Sequence, residues 1–588
     1  MTSEHGRKMA DLRRELQKAG LDGYIIPRSD EYLGEYVPAC AERLAWLSGF
    51  TGSAGLAIIL ADRAAVFSDG RYTLQLEQQV EGALWERRHI TEDKPEAWLC
   101  QMAPGQRIGF DPWTISAETL ARFTGVEMIP VAVNLVDKIW SDRPAPPLAP
   151  ALPYPDHYAG ESAASKRQRI AAILRESEQD AALLSDGAAL AWLLNIRGHD
   201  LEFCPFALGY VILYQNGQAA LFMAPDKITD ALRTHLGPDV SIAAPSDLPA
   251  ALTSLKGKTV RYDPATMPVW FEIKLRDAGA LIARAPDPVA LPRACKNATE
   301  QTGARAAHLR DALAMVTFLS WLAEAAPTGQ ETEMSAAEKL FTCRAAQDLF
   351  QGESFPAISG AGENGAIIHY RVSPESNRHI RANEVYLIDS GGQYLDGTTD
   401  ITRTLWTGPK EAPAPLKAHA TYVLAGMIAL ARAVFPVGVA GAHLDALARQ
   451  ALWRAGLDYD HGTGHGVGAY LSVHEGPVSI SRAAKPVALA AGMILSDEPG
   501  YYQSGAYGIR MENLLLVQPA DFPETRQPFL QFETLTLVPF DRALINPALL
   551  PADSLHWLND YHARVRNALS PYLSGPVLAW LHKATASL

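Results

Sequence analysis

Five polar residues stand in stretches whose surroundings read as strand or core: Asp389, Asp400, His465, Glu498 and Glu512. Asp389 ends the apolar run Glu384-Val-Tyr-Leu-Ile-Asp-Ser390, and Asp400 follows an Asp396-Gly397 turn signal. His465 lies in His461-Gly-Thr-Gly-His-Gly-Val-Gly468, Glu498 in Ile494-Leu-Ser-Asp-Glu-Pro-Gly500 and Glu512 in Gly508-Ile-Arg-Met-Glu-Asn513. A buried carboxylate is costly unless it is paired or bound to a metal, and several within a few ångströms cannot all ionise. Two divalent cations resolve this, because their combined charge matches that of the four carboxylates. Oxygen-rich ligation with a single imidazole suits a harder ion such as Mn²⁺, ahead of Zn²⁺, Co²⁺ or Fe²⁺.

Such a cage needs a sheet to hold it. From residue 359 onward, short apolar runs alternate with glycine-rich turns, which predicts a substantial sheet. Segments 384–390 and 398–406 are expected to form one hairpin that brings Asp389 towards Asp400, with the register left open. Arg510 precedes Glu512 by two residues and would share its face if that segment is extended. Arg510 is then either a salt-bridge partner that orients a carboxylate or a substrate contact. Helical spacing is read over 301–325 and 331–350 ahead of the sheet, and over 554–568 and 576–584 after it. No Gly-x-Ser-x-Gly elbow is present, and Gly360-Ala-Gly362 lacks the context of a dinucleotide site.

The whole chain has 588 residues, 48% hydrophobic and 20% charged, as a folded multidomain protein should. Its net charge of −13 argues against binding nucleic acid. Five dispersed cysteines without a Cys-x-x-Cys pair suit reduced thiols, and the polar N-terminus does not read as a signal peptide, so a cytoplasmic location is expected. The apolar stretch 422–435 is short and interrupted by Arg432, so it reads as a core helix and no membrane association is expected.

Proline-dense seams at 141–155 and 285–292 divide the chain into three blocks. The first two look duplicated. Segment 42–52 aligns without gaps on 188–198, sharing Leu-Ala-Trp-Leu and a final glycine. Each is preceded by an amphipathic helix and a short strand, at 9–20 and 23–27 or at 164–176 and 180–185. Each is followed by a strand pair, at 55–67 or 209–223. Trp46 and Trp192 read as core packing.

The four acids and the imidazole, in this order and context, resemble the ligand set of the pita-bread metallopeptidases, which include methionine aminopeptidase, prolidase and aminopeptidase P. The long, cytosolic type of Xaa-Pro aminopeptidase is the best match. It is carried by Ser48-Gly-Phe-Thr-Gly-Ser-Ala-Gly55, Ser68-Asp-Gly-Arg-Tyr72, Gly365-Ala-Ile-Ile-His-Tyr370, Val385-Tyr-Leu-Ile-Asp-Ser-Gly391, Asp396-Gly-Thr-Thr-Asp-Ile-Thr-Arg-Thr404, Val473-His-Glu-Gly-Pro477 and Trp557-Leu-Asn-Asp-Tyr-His562. The resemblance implies an α/β multidomain protein: two creatinase-like α/β domains at 1–150 and 151–295, a pita-bread α+β catalytic domain at 296–525 and a C-terminal extension at 526–588 that supports a homodimer.

It further implies that Asp389 chelates one metal, that Asp400 and Glu512 bridge two, and that His465 and Glu498 complete the second. A hydroxide bridging the pair would attack the carbonyl before proline, with Glu498 as proton shuttle. His369 and His474 match site-lining, catalytic histidines, and His461 and Arg510 match outer or proline-side positions that help to bind substrate. The implied substrates are peptides with proline in second position. Prolidase, the same chemistry restricted to dipeptides, is disfavoured by the long duplication, the C-terminal extension and Asn513, where prolidase-like sequences more often carry Asp. A metal-free binding relative is disfavoured by the intact ligand set.

Overall fold

The computed structural model describes residues 3–522 and 526–588, in two compact units. The first unit takes in Met1–Asp156 and Glu161–Ala290, and the second His157–Gly160 and Leu291–Leu588.

The first unit shows the duplication directly. Its N-terminal half is a six-stranded sheet ordered Glu86–His89, Ala64–Ser68, Leu56–Leu60, Gly23–Pro27, Arg107–Phe110, Glu127–Pro130. Its other half repeats this as Val240–Ala243, Ala219–Phe222, Tyr210–Tyr214, Ala181–Leu184, Thr259–Tyr262, Leu281–Arg284. In both, the first pair is parallel, the next two are antiparallel and the last two are parallel. The strand-preceding helices are Glu4–Ala19 and Ala163–Glu176, capped by the Ser3 and Ser162 hydroxyls.

Each half also places a lysine of that helix over the tryptophan of the aligned segment. Lys8 Nζ lies 4.4 Å from the Trp46 ring and donates to its carbonyl at 3.0 Å; Lys166 Nζ lies 4.4 Å from the Trp192 ring and donates to its carbonyl at 3.2 Å. Side chains of both sheets, including Ile58, Phe110, Ile212 and Phe222, enter one core, and Trp113 stacks on Trp270 at 3.9 Å.

In the second unit the long helix Ala298–Ala325 starts at a capping box in which Asn297 and Glu300 satisfy each other's amides. The break expected after it is present, and Glu333–Ala345 follows. A three-stranded antiparallel sheet sets Val385–Ser390 between Ile358–Ala361 and Ile401–Trp406. A six-stranded sheet runs Val434–Pro436, Phe529–Thr534, Asn513–Ala520, Ile494–Asp497, Gly464–Gly466, Glu475–Ile480. Helices Ala414–Ala431, Gly441–Arg454, Ala552–Leu569 and Gly575–Ala584 complete the unit. Ala414–Ala431 is apolar and long enough to cross a membrane, yet Leu416, Val423, Leu424, Met427 and Ile428 pack into the main core.

The hairpin expected at 384–406 forms, with Asp389 opposite Thr402, but it is not one continuous ribbon. Its tip leaves the sheet as Gly392–Tyr394 and Gly397–Thr398, which pair in a separate sheet with Phe350–Glu353. The segment 508–513 is also broken. Tyr507–Arg510 pairs with Gly500–Gln503 in a two-stranded ribbon, and a new strand begins at Asn513. The domain boundary expected after residue 525 abuts residues 523–525, which lie outside the described residues.

Candidate metal centre

Two sheets supply the four acids and the imidazole. On the three-stranded sheet, Asp389 and Thr402 are cross-strand partners and share a face. Asp400 stands just before the strand Ile401–Trp406, at the same end as Asp389. From the six-stranded sheet, His465 sits on the short strand Gly464–Gly466, Glu498 follows Ile494–Asp497, and Glu512 precedes Asn513–Ala520. The glycines beside His465 are required by close backbone approach: a Cβ at Gly464 would come 1.9 Å from the Ser496 carbonyl oxygen.

Ligand atoms of Asp400, His465 and Glu512 lie within 4.8 Å of one another. His465 Nε2 is 3.4 Å from Asp400 Oδ2 and 3.5 Å from Glu498 Oε1. His465 Nδ1 donates to the Gly466 carbonyl at 3.0 Å, which turns Nε2 towards the acids. The Ser496 hydroxyl accepts from the His465 amide at 2.9 Å and donates to Glu498 Oε1 at 3.2 Å. Thr402 Oγ1 donates to Glu512 Oε2 at 2.8 Å, and the Glu512 amide donates to the Thr402 carbonyl at 3.2 Å. The side chains of His465 and Glu498 are each 19% exposed against 5% for Asp400, so the cage opens on their side.

The electrostatics are those of an anionic cage lacking enough cations. Burial pushes the Glu512 carboxyl well above the usual carboxylate range, and Asp400, Glu498 and Asp389 add to it. Burial, with Asp400 and Asp389, lifts Glu498 to about 7 against the opposing pull of His465 and Arg510. Asp389 is raised by burial despite Arg510. Burial alone would lower His465, but Asp400 and Glu498 overcome it and lift the imidazole to about 9. Asp389 Oδ1, Asp400 Oδ1 and Glu512 Oε1 are buried with no hydrogen-bond partner among the described residues. Orphaned anionic oxygens around His465 Nε2, whose proton a metal would replace, are what divalent ions would satisfy, so the residues fit a metal pair.

The other expected residues fall around this cage. The His474 ring meets His465 edge-on at 4.3 Å. His369 is partly exposed in the turn after Gly362–Ala366; its neighbour Tyr370 donates to the buried Glu333 at 2.9 Å. That turn lies on the ribbon carrying Arg510, since a Cβ at Gly508 would come 1.7 Å from the Gly365 carbonyl oxygen. Arg510 does not turn to Glu512: with the strand broken at Met511, its guanidinium donates to Asp389 Oδ2 at 2.6 Å and to the Tyr502 hydroxyl at 2.7 Å. His461 Nδ1 donates to the Gly462 carbonyl, so Nε2 accepts from Tyr502 at 2.9 Å. Tyr502 therefore joins His461 to Arg510 and Asp389. Sequence reasoning overlooked it, as it did Thr402 and Ser496, because a hydroxyl announces its role only when its partners are known.

Models of known families match almost the entire chain. The Creatinase/Prolidase N-terminal domain matches residues 8–137 and, in a second form, 142–300. Metallopeptidase family M24 matches 302–519, and the C-terminal region of peptidase M24 matches 528–588. Aminopeptidase P2 of Arabidopsis thaliana is 38% identical over 99% of this chain and 88% of its own length. A probable Xaa-Pro aminopeptidase P of Aspergillus fumigatus is likewise 38% identical, over 99% of this chain and 92% of its own. The crystal structure of an X-prolyl aminopeptidase from Caenorhabditis elegans, described as a cytosolic enzyme with a di-nuclear active site, superposes with a TM-score of 0.93 at 32% identity, covering 99% of this chain and 100% of that one. The chain belongs to metallopeptidase family M24, within its aminopeptidase P branch.

Proposed function

We propose that this protein removes the N-terminal residue from peptides whose second residue is proline, using two divalent ions held by Asp389, Asp400, His465, Glu498 and Glu512. The observation that carries the reading is the convergence of Asp400, Glu498 and Glu512 on His465, with the charge of Asp400 felt at Asp389 and buried oxygens left unpaired. Bound there, the ions supply Lewis acidity that lowers the pKa of water and polarises a carbonyl.

The chain's own groups do the rest. Glu498, with Oε1 held by Ser496, presents its other oxygen to take a proton from the attacking water and return it to the departing prolyl nitrogen. That nitrogen leaves as a secondary amine and needs the proton. His474 and His369 orient the scissile carbonyl and stabilise the oxyanion. His461 and Arg510 act from the proline side, Arg510 also fixing Asp389 through its charged hydrogen bond. Mn²⁺ is the metal favoured by the oxygen-rich set, ahead of Zn²⁺ or Co²⁺. The names of the relatives, and the match along 88% or more of their length, favour the aminopeptidase over a prolidase. We also infer the four-part organisation with boundaries near 150, 295 and 525, a homodimer and a cytosolic location.

The deciding experiment compares hydrolysis of Arg-Pro-Pro with Ala-Pro by the protein loaded with Mn²⁺. Preference for the tripeptide is expected, and preference for the dipeptide would overturn the choice of aminopeptidase. Full activity in a chain stripped of metal would overturn the metal-dependent reading altogether.

A further inference from the structure

Next to Thr402, but on the opposite side of the strand, Arg403 is wholly buried. Its N–H groups all reach neutral oxygens. Nε donates to the Pro539 carbonyl at 3.1 Å, and Nη1 to the carbonyls of Thr402 at 2.8 Å and Glu512 at 2.5 Å. Nη2 donates to the Val538 carbonyl at 2.7 Å and to Asn513 Oδ1 at 2.8 Å, with the Tyr561 hydroxyl at 3.3 Å. The guanidinium carbon stands 4.1 Å from the centre of the Phe540 ring. No carboxylate among the described residues pairs with it. A buried cation without a counter-charge is costly to keep, so its retention asks for a reason.

The reason lies in what it joins. Three segments meet on Arg403: the strand that follows Asp400, the junction Glu512-Asn513, and the C-terminal stretch 538–540 with Tyr561 of the helix Ala552–Leu569. Across the same joint, Thr402 and Glu512 exchange the two hydrogen bonds that fix the Glu512 carboxylate and amide. Tyr561 is itself fixed, donating to the Val538 carbonyl at 2.8 Å.

We propose that Arg403 is a positioning residue through which the C-terminal region, residues 536–561, sets the placement of Glu512 in the metal cage. The inference rests on the reading of Glu512 as a metal ligand. Only a planar fork reaches both backbones and the C-terminal carbonyls at once, which a lysine ammonium cannot do. Asn513 belongs to the device. A neutral amide oxygen takes one N–H, whereas an aspartate would draw the fork into a bidentate pair and loosen its hold on the C-terminal carbonyls.

The test uses the full-length chain and reads Mn²⁺ affinity and stoichiometry by competition with a chelator, alongside the melting temperature of the metal-free protein. Arg403→Lys is expected to weaken binding about ten-fold or more, in the range of outer-partner substitutions at metal sites. Tyr561→Phe and Asn513→Asp should weaken it by a smaller factor, about three- to five-fold, near the effect of one hydrogen bond. For Tyr561→Phe, excess Mn²⁺ should restore kcat with KM unchanged. Arg542→Ala is the control: Arg542 donates to the carbonyls of Lys583 and Ser587 in the same C-terminal region but does not touch Arg403, and it should leave Mn²⁺ affinity unchanged. Unaltered Mn²⁺ affinity in Tyr561→Phe and Asn513→Asp would overturn the proposal, whether or not Arg403→Lys folds, and so would an equal loss in Arg542→Ala. A wild-type chain that binds no Mn²⁺ would instead sink the underlying metal reading.

Discussion

The metal cage of the catalytic unit treats buried charge differently from the N-terminal unit, although elsewhere the catalytic unit also pairs its charges, as Arg344 with Asp311 and Arg449 with Asp445. In the N-terminal unit the buried cations have acids or carbonyls of their own. Lys227 bonds to Asp200 and to the Leu208 carbonyl, and Arg43 lies between Asp137 at 2.7 Å and Glu31 at 2.6 Å. Its buried Asp30 stands alone but takes amide hydrogens from Tyr32 and Gly34. In the catalytic unit four carboxylates and an imidazole gather with one arginine in direct contact, on Asp389. Paired charge specifies a fold, whereas an excess of one sign, sustained against its desolvation, marks a place where something else binds.

Four substitutions or conditions sharpen or break that contrast. The largest effect is expected from Glu512→Gln, which should reduce kcat/KM by well over about 100-fold, beyond the range for outer partners of a metal. Because burial already keeps Glu512 protonated in the metal-free chain, a neutral amide in its place should leave the metal-free variant melting no lower than the metal-free wild type; a large fall in its melting temperature would break the comparison. The opposite pattern is expected from Asp200→Asn, which strands Lys227 in the interior and should cost about 3 kcal/mol by urea unfolding. Metal affinity of that variant should be unchanged in a chelator titration.

Intermediate in size is Tyr502→Phe, which cuts the link between His461 and Arg510 and should reduce kcat about ten-fold by steady-state kinetics. An unchanged kcat would show that His461 and Asp389 act independently.

The smallest effect is a pH trend in the metal-free chain. Glu498 and Glu512 hold their protons in the fold at pH values where the unfolded chain has lost them, so their ionisation destabilises the fold as pH rises. His465, raised to about 9, adds stability that is full below its ordinary value and is lost as pH climbs through 9. Both slopes have the same sign, since the folded chain binds more protons. Its melting temperature should therefore fall between about pH 5 and 9, and the gain from Mn²⁺, which competes with those protons, should grow over the same interval. A metal-induced gain that is flat with pH would contradict the assignment of these groups as ligands.

Much of the architecture was legible beforehand. The shared Leu-Ala-Trp-Leu and the matched order of helix, strand and strand pair announced two like sheets, because alternating burial and tight turns are written locally. What the repeat did not reveal is that Lys8 and Lys166 cap the two tryptophans, since these lysines lie outside the aligned segment and at different distances from it. The long helix of the catalytic unit and the C-terminal helices were likewise visible from their spacing, whereas Gly441–Arg454 was not. The helix expected to reach 350 stops at Ala345, before the strand Phe350–Glu353. The tip of the 384–406 hairpin was not, because its choice of Phe350–Glu353 as partner is made by a strand distant in the chain.

At the site, the sequence alone singled out the candidate ligands, because four acids and a histidine in apolar surroundings have few inexpensive explanations. Tertiary structure decided which of them meet and who holds them: that Arg510 serves Asp389 and not Glu512, that Tyr502 bridges to His461, and that Arg403 ties Glu512 to the C-terminal helix. The physical reason is range. Residue type and periodicity encode burial and charge one segment at a time, whereas a hydrogen bond is set by directions and distances that exist only after strands far apart in the chain have taken their register.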